Sequence, residues 1–344
     1  MSEPRPDKNL APEANFAFGL RTVEFPELGE KHSGKVRDWW NIDEDRIVFL
    51  TTDRQSAYDV VVGTIPGKGK ALNETSAWWA KNTADIIPND VIAIPHPNVK
   101  IARQAIEGLG VEMVYRRFNA KSSTSTSIYR NYTEGRRRIY GIDFPDGLEP
   151  NQPFPEDLGQ DGIIFTPTTK AEQGEHDAEM TEEQARELIR DRFGSKIANQ
   201  AVKAGYELFK RGENLLGRER LIFVDTKYEF GVDADGRLML IDEIHTPDSS
   251  RIWKKDSYLQ RLQEGLDPES FDKEILRRWL KDQGFTGETG QSAPIIPDEI
   301  RKAMLDAYVA PYRMLSGRDI SSTSSQPQVI RGIIAFYLNG LIAN

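Results

Sequence analysis

Hydrophobic and polar positions change period along the chain, and the changes mark its elements. Residues 46–52 (RIVFLTT) and 58–64 (YDVVVGT) are dense in β-branched and aliphatic side chains, which favour extended backbone, so both read as strands. Glycines interrupt 65–70 (IPGKGK), which reads as a loop. Helical spacing follows over 73–87, with Trp78 and Trp79 giving an apolar side. Residues 91–94 and 111–118 read as strands, and 121–127 (KSSTSTS) as a hydroxyl-rich loop. Pro145, Pro150, Pro153 and Pro155 make 141–160 a long irregular connection, the expected boundary between two lobes.

Beyond that connection, 163–166 leads into a polar loop, 167–177 (PTTKAEQGEHD). Thr181 and Gln184 have the spacing of a capping box and open a helix that runs to about Arg211, with a break near 193–195. Residues 221–232 and 237–244 read as strands about Asp235-Gly236, a hairpin turn. Residues 270–281 and 297–315 are amphipathic helices, and 329–341 (VIRGIIAFYLNGL) is apolar enough to pack on the body or on a partner. The expected organisation is a loose arm over 1–20, one lobe over 21–150, a second over 151–317 and an extension over 318–344. Antiparallel hairpins mixed with helices predict an α+β fold.

Composition narrows the chemistry. The 344 residues carry a formal charge of −9, so the chain lacks the basic surface that non-specific nucleic-acid binding needs. Cysteine is absent, which excludes disulfides, thiolate metal sites and a cysteine nucleophile. The start is polar and no apolar run approaches a membrane span, so a cytoplasmic protein is expected, with a homo-oligomer left open. Residues 63–68 (GTIPGK) approach a phosphate-binding Walker loop but are one residue short, and Gly69 stands where a hydroxyl should hold magnesium. His32, His96, His176 and His245 show no zinc spacing.

The informative segment is 225–242. Alternation along a strand places Asp225, Lys227 and Glu229 on one face. With Asp235 and Gly236 as the two central turn residues, Glu229 lies opposite Asp242 and Val232 opposite Met239. Facing carboxylates repel unless a cation sits between them, and a hard, oxygen-loving ion such as Mg²⁺ suits the place. Lys227 would then reach a phosphate held by that ion. Three weaker clusters accompany it: 34–38 (GKVRD), Arg116-Arg117 with the 121–127 loop, and 246–251 (TPDSSR). Guanidiniums beside hydroxyls commonly hold a phosphomonoester.

Taken in order, these stretches resemble the SAICAR synthetase family. The matching segments are GKVRD at 34–38, TTDRQSAYDVV at 51–61, IPGKGKALNETSAWW at 65–79, FTPTTKAEQGEHD at 165–177, DTKYEFGVD at 225–233, LIDEIHTPDSSRIW at 240–253 and FDKEILRRWL at 271–280. The resemblance implies a two-lobed fold akin to the nucleotide-binding lobes of ATP-grasp ligases and kinases. It implies that ATP, L-aspartate and carboxyaminoimidazole ribonucleotide are joined to give the succinocarboxamide, ADP and phosphate through an acyl phosphate. It further implies ATP contacts from Lys35, Arg37, Asp225 and Lys227, with Lys227 at the transferring phosphoryl group. Glu229 and Asp242 would bind Mg²⁺. Arg116, Arg251, Ser122 and Ser123 would hold the ribonucleotide's 5′-phosphate, and Asp59 occupies an acidic substrate-site position. The chain departs from the family at Tyr115-Arg116-Arg117-Phe118, where VRGY is usual, and in a longer loop after it; a related ligase with another carboxylate or amine, or a non-catalytic nucleotide binder, is the alternative.

Overall fold

The β-branched and aliphatic run at 46–52 becomes the strand Arg46–Thr51, the centre of a five-stranded antiparallel sheet. Its strands lie in the order His32–Ser33, Arg37–Asn41, Arg46–Thr51, Val99–Arg103, Val91–His96. The computed structural model describes residues 19–58, 60–122, 124–170, 177–271, 273–288 and 290–342. These divide into two compact units. The first holds the residues up to Trp78, Val91–Gln104 and those after Phe271; the second holds Trp79–Asp90 and Ala105–Phe271. The expected boundary at 141–160 therefore lies inside the second unit. The reason is packing: Phe144 and Phe154 are buried with Ile128, Ile139, Tyr140 and Ile164, so the prolines shape a packed loop instead of a linker.

In the first unit, one sheet face carries Trp40, Val48, Leu50, Val99 and Ile101. The helix Pro327–Ile342 lays Ile330, Ile334 and Leu338 on these residues, at the four-residue spacing of one helix face. The apolar extension thus closes part of a core. Ahead of it, Lys70 donates to the carbonyls of Ser321 and Thr323, and Ser321 donates its backbone N–H to Glu74. A second core in this unit joins Val62, Ile65 and Leu72 to Leu276, Leu280, Met304 and Tyr308 from the helices Glu274–Asp282 and Asp298–Ser316.

The glycine-rich stretch 65–70 differs from expectation, because the helix Lys68–Asn82 starts inside it. Asp53, buried beneath, accepts from the N–H of Gly69 at 2.9 Å and so satisfies an orphan donor of the first helical turn. Burial pushes the Asp53 carboxyl up, against the backbone donors that favour its charge. Gly69 is needed for a steric reason: a Cβ there would meet the Thr51 carbonyl oxygen at 2.4 Å.

The second unit is organised by the strand Leu221–Val232. It pairs antiparallel with Val111–Arg116 on one side and with Leu238–Ile241 and Ser250–Lys254 on the other. The helix Glu182–Arg218 covers the sheet. It opens with the expected capping box, Gln184 N–H to Thr181 Oγ1 at 3.1 Å and Thr181 N–H to Gln184 Oε1 at 2.8 Å. It breaks at Gly194, whose φ of 83° no helix residue adopts. The hairpin closes one residue differently from the expected register. Glu229 lies opposite Ile241 and Val232 opposite Leu238. Three residues separate Asp233 from Arg237, with Gly236 at φ 70°, which is the three-residue loop with a left-handed glycine.

Among the described residues there are seven α-helices, and none is long and apolar enough to cross a membrane. Under the sheet of the second unit, His245 is fully buried between Trp79 and Phe223 and meets the Tyr228 hydroxyl at 2.6 Å. Burial pushes its pKa down to about 3. The unfolded chain binds that proton near pH 6.5 while the folded chain refuses it, so stability falls as pH drops below about 6.5, by up to about 1.4 kcal/mol per unit from this group. Denaturant titrations between pH 7 and 5 should therefore show a shallower loss for His245→Phe than for the parent; parallel curves would refute the assignment.

Candidate active site

Strand alternation builds the site in the second unit. Asp225 is flanked in register by Arg116 on one neighbouring strand and Arg251 on the other. Opposed residues share a face, so the sheet presents a row Arg116–Asp225–Arg251. Arg116 Nη1 donates to Asp225 Oδ2 at 3.2 Å, and Arg251 Nε donates to Oδ1 at 2.9 Å while its Nη2 reaches Oδ2. Burial opposes the charge of Asp225, but Arg251 and then Arg116 outweigh it and hold the carboxyl below its ordinary value. Both oxygens of Asp225, a residue expected among the ATP contacts, accept from guanidiniums.

One of these arginines reaches the hydroxyl-rich loop: Arg251 Nη1 donates to the Lys121 carbonyl at 3.2 Å. Arg116 Nε donates to Thr166 Oγ1 at 2.9 Å, and the Tyr140 hydroxyl donates to the Thr126 carbonyl of the loop at 2.9 Å. Ser122 lies next to Lys121, half-buried, with its hydroxyl 3.1 Å from Thr124 Oγ1. Ser123 and Asp59 lie outside the described residues. The departure at Arg117 is turned away from this row: its Nη1 donates to the carbonyls of Phe154 at 2.8 Å and Gly162 at 3.2 Å.

Further along the strand the charge reverses. Lys227 Nζ lies 2.6 Å from Glu112 Oε1 and 3.3 Å from Glu229 Oε1, and Lys170 Nζ lies 2.6 Å from Glu229 Oε2. Burial works against the Lys227 charge, yet Glu229, Glu112 and Asp242 together outweigh it and raise its pKa. Contrary to expectation, Asp242 does not face Glu229 across the ladder. It sits one position beyond Ile241 at φ 69°, where the chain turns out of the strand, and still acts on Lys227. Aspartate tolerates this left-handed backbone better than most residues.

Among the described residues no three His, Asp or Glu side chains converge as a metal cage. Mg²⁺ does not need one, because it takes one or two carboxylates and completes its shell with water and substrate phosphates. Glu229 and Asp242, both carboxylates acting on the same ammonium, fit that donor set. Sequence reasoning missed Glu112 and Lys170. Glu112 was within reach, since it lies four residues before Arg116 on one strand and so shares its face.

In the first unit, Lys35 and Arg37 lie at a hairpin between His32–Ser33 and Arg37–Asn41, where Gly34 N–H donates to the Arg37 carbonyl at 2.7 Å. Buried Arg54 fixes this loop. It donates through Nε to the Lys35 carbonyl at 3.2 Å, through Nη2 to the Gly34 carbonyl at 3.1 Å and to Asp38 Oδ1 at 2.6 Å, and through Nη1 to the Arg21 carbonyl at 2.6 Å and Asp38 Oδ2 at 3.2 Å. All three guanidinium nitrogens are engaged. Arg37 and Lys100, on the two strands that flank Arg46–Thr51, lie 5.9 and 4.9 Å from the centre of the Phe49 ring, on the sheet face opposite the Pro327–Ile342 helix.

A SAICAR synthetase family profile matches residues 30–292. The phosphoribosylaminoimidazole-succinocarboxamide synthase of Legionella pneumophila strain Paris is 40% identical over 300 residues, covering 87% of this chain and 91% of that protein. The chloroplastic enzyme of Vigna aconitifolia is 44% identical over 258 residues, 74% of this chain and 71% of that protein. Among solved structures, the SAICAR synthase of Saccharomyces cerevisiae complexed with SAICAR superposes with a TM-score of 0.72 at 26% identity, covering 88% of this chain and 99% of that one. Matched over most of its length in both sequence and fold, the chain belongs to the SAICAR synthetase family, ligases of purine biosynthesis, and is an enzyme.

Proposed function

We propose that this ligase joins L-aspartate to carboxyaminoimidazole ribonucleotide in the cytoplasm, using ATP with Mg²⁺ and releasing ADP and phosphate. The observation that carries the reading is the single strand face running from two arginines at Asp225 to the carboxylates around Lys227. Glu229 lies four positions after Asp225, roughly 13 Å along the strand. That span suits a nucleotide whose 5′-phosphate rests on Arg116 and Arg251, with Ser122 and Ser123 as the proposed hydroxyl partners, and whose base carboxylate lies near Lys227. The yeast relative was solved with SAICAR, the product this reading requires. Kinship with ATP-grasp ligases and kinases is part of the proposal, supported by the antiparallel sheets of the two units.

The chemistry follows from a poor leaving group. A carboxylate oxygen attacks the γ-phosphorus of ATP, the bond from that phosphorus to the ADP oxygen breaks, and an acyl phosphate forms. The aspartate amine then attacks the acyl carbon, phosphate leaves, and the nitrogen loses a proton. Mg²⁺, held by Glu229 and Asp242, would neutralise charge on the phosphates. Lys227 adds a fixed cation at the transferring group, Lys35 and Arg37 contact the ATP phosphates, and Asp59 contributes an acid to the substrate site. Aligning the partners and excluding water are the protein's other tasks.

Incubation of the purified protein with ATP, Mg²⁺, L-aspartate and the carboxylated ribonucleotide should yield the succinocarboxamide by mass, and omission of any one should abolish it; no product from the complete mixture would defeat the proposal. A panel of other carboxylates and amines separates it from the related-ligase alternative.

Lys227→Met keeps the apolar stem and deletes the charge. The charge it faces redistributes on the way to the transition state, so kcat should fall at least about a hundredfold while ATP affinity changes much less. A folded variant with parental kcat would remove Lys227 from the chemistry.

Glu229→Gln and Asp242→Asn should each raise the Mg²⁺ concentration needed for half-maximal activity about tenfold or more, the scale of one lost charge-assisted ligand. Magnesium titrations that coincide with the parent's for both variants would show that the two carboxylates do not share an ion.

A further inference from the structure

We propose that Asp225 is a positioning residue: its carboxylate fixes Arg116 and Arg251 as one receptor for the sugar 5′-phosphate. The inference rests on the phosphate reading above. Asp225 lies on the central strand, in register with an arginine on each side, so one carboxylate serves two guanidiniums. Its side chain is only 9% exposed and each oxygen already accepts from an arginine. It is thus directed at the receptor and not at solvent.

Two neighbouring guanidiniums repel each other and, being long side chains, sample many rotamers. A carboxylate between them reverses both effects. Each arginine has five N–H donors in a planar fork; Asp225 engages the Nε and Nη2 edge of Arg251 and the Nη1 of Arg116, whose Nε is held by Thr166, and these contacts fix the planes of both forks. Two further contacts complete the alignment: Arg251 reaches the Lys121 carbonyl, and Arg116 reaches Thr166 Oγ1. The row keeps a net positive charge, since two guanidiniums surround one carboxylate. A phosphate dianion therefore meets donors already aimed and need not organise them on arrival.

The test is steady-state kinetics on the full chain with Asp225→Asn, which keeps the shape and removes the charge. Asp225→Glu serves as the second variant, keeping the charge but moving the oxygens by one methylene. For either, the ribonucleotide KM should rise about tenfold or more, the size of a lost charge-assisted contact, with ATP KM within about twofold and kcat at saturation largely retained. Thermal protection by ribose 5-phosphate should weaken in parallel. In an Arg251→Ala background, Asp225→Asn should add far less than it does alone, because both changes disable one device. An unchanged ribonucleotide KM in both Asp225 variants, or a rise in the ATP KM instead, would overturn the inference. If Arg116→Ala and Arg251→Ala themselves leave the ribonucleotide KM unchanged, the phosphate reading falls and the inference with it. If the arginine variants raise that KM and the Asp225 variants do not, only the inference falls.

Discussion

The second unit depends on one constraint, the two-residue period of the strand Leu221–Val232. Alternation sends Asp225, Lys227 and Glu229 to one face and Thr226, Tyr228 and Phe230 to the other. The second set is buried: Tyr228 and Phe230 lie under the Glu182–Arg218 helix layer, with His245 bonded to the Tyr228 hydroxyl. A slip of one residue would take three charges away from their ion-pair partners into the apolar layer and bring two aromatic rings onto the charged face, an exchange no partner in the core could offset. The hydrophobic face therefore sets the register, and the charged face inherits its geometry from it. Neighbouring strands then place Arg116, Glu112 and Arg251 without any further instruction, because pairing in register is enough.

Charge in this protein is fixed by charge. In the first unit, Arg54 and Asp38 form an ion pair with side chains 6% and 0% exposed. Burying such a pair contributes little net stability, while breaking it costs about 3–5 kcal/mol. Its retention is better explained by what it holds: the carbonyls of Gly34 and Lys35, and so the hairpin that presents Lys35 and Arg37. Asp225 does the same for Arg116 and Arg251. In both places a buried charge of one sign holds the cations, or the loop that carries them, so that they are aimed before any anion arrives.

Much of the site was legible because its residues fall on a strand, where spacing alone decides the face. Asp225, Lys227 and Glu229 needed only a period of two. The hairpin register was misread for a local reason: Asp235-Gly236 suggests a two-residue turn, but Gly236 takes the left-handed position of a three-residue loop, which shifts every pair by one. Arg54 gave no signal, since its role is to bond backbone carbonyls at 21, 34 and 35 that no pattern marks. Pairing of Glu112 with Lys227 is a contact between strands more than a hundred residues apart, set by topology. The proline-rich 141–160 stretch misled because turn residues mark irregular backbone whether it links lobes or packs within one; Phe144 and Phe154 carry the distinction.

The polarity of the face decides how a substrate can lie on it. One end offers guanidiniums, which match a phosphomonoester in bidentate geometry. The other offers Glu112, Glu229 and Asp242 about Lys227 and Lys170, an acidic cluster that repels a bare phosphate unless a cation intervenes. A ribonucleotide is itself polar in the same sense, with its dianionic phosphate at one end. Lying in reverse would set that phosphate against three carboxylates and forgo the net positive charge of the Arg116–Asp225–Arg251 row. On the proposed reading, the orientation in which the phosphate meets Arg116 and Arg251 carries the base carboxylate toward Lys227, where a metal-bridged phosphoryl group would be tolerated. The misread register leaves this argument intact. Asp242 leaves the ladder at a left-handed residue and still acts on Lys227, so the acidic end is defined by its lysine more than by the pairing of strands.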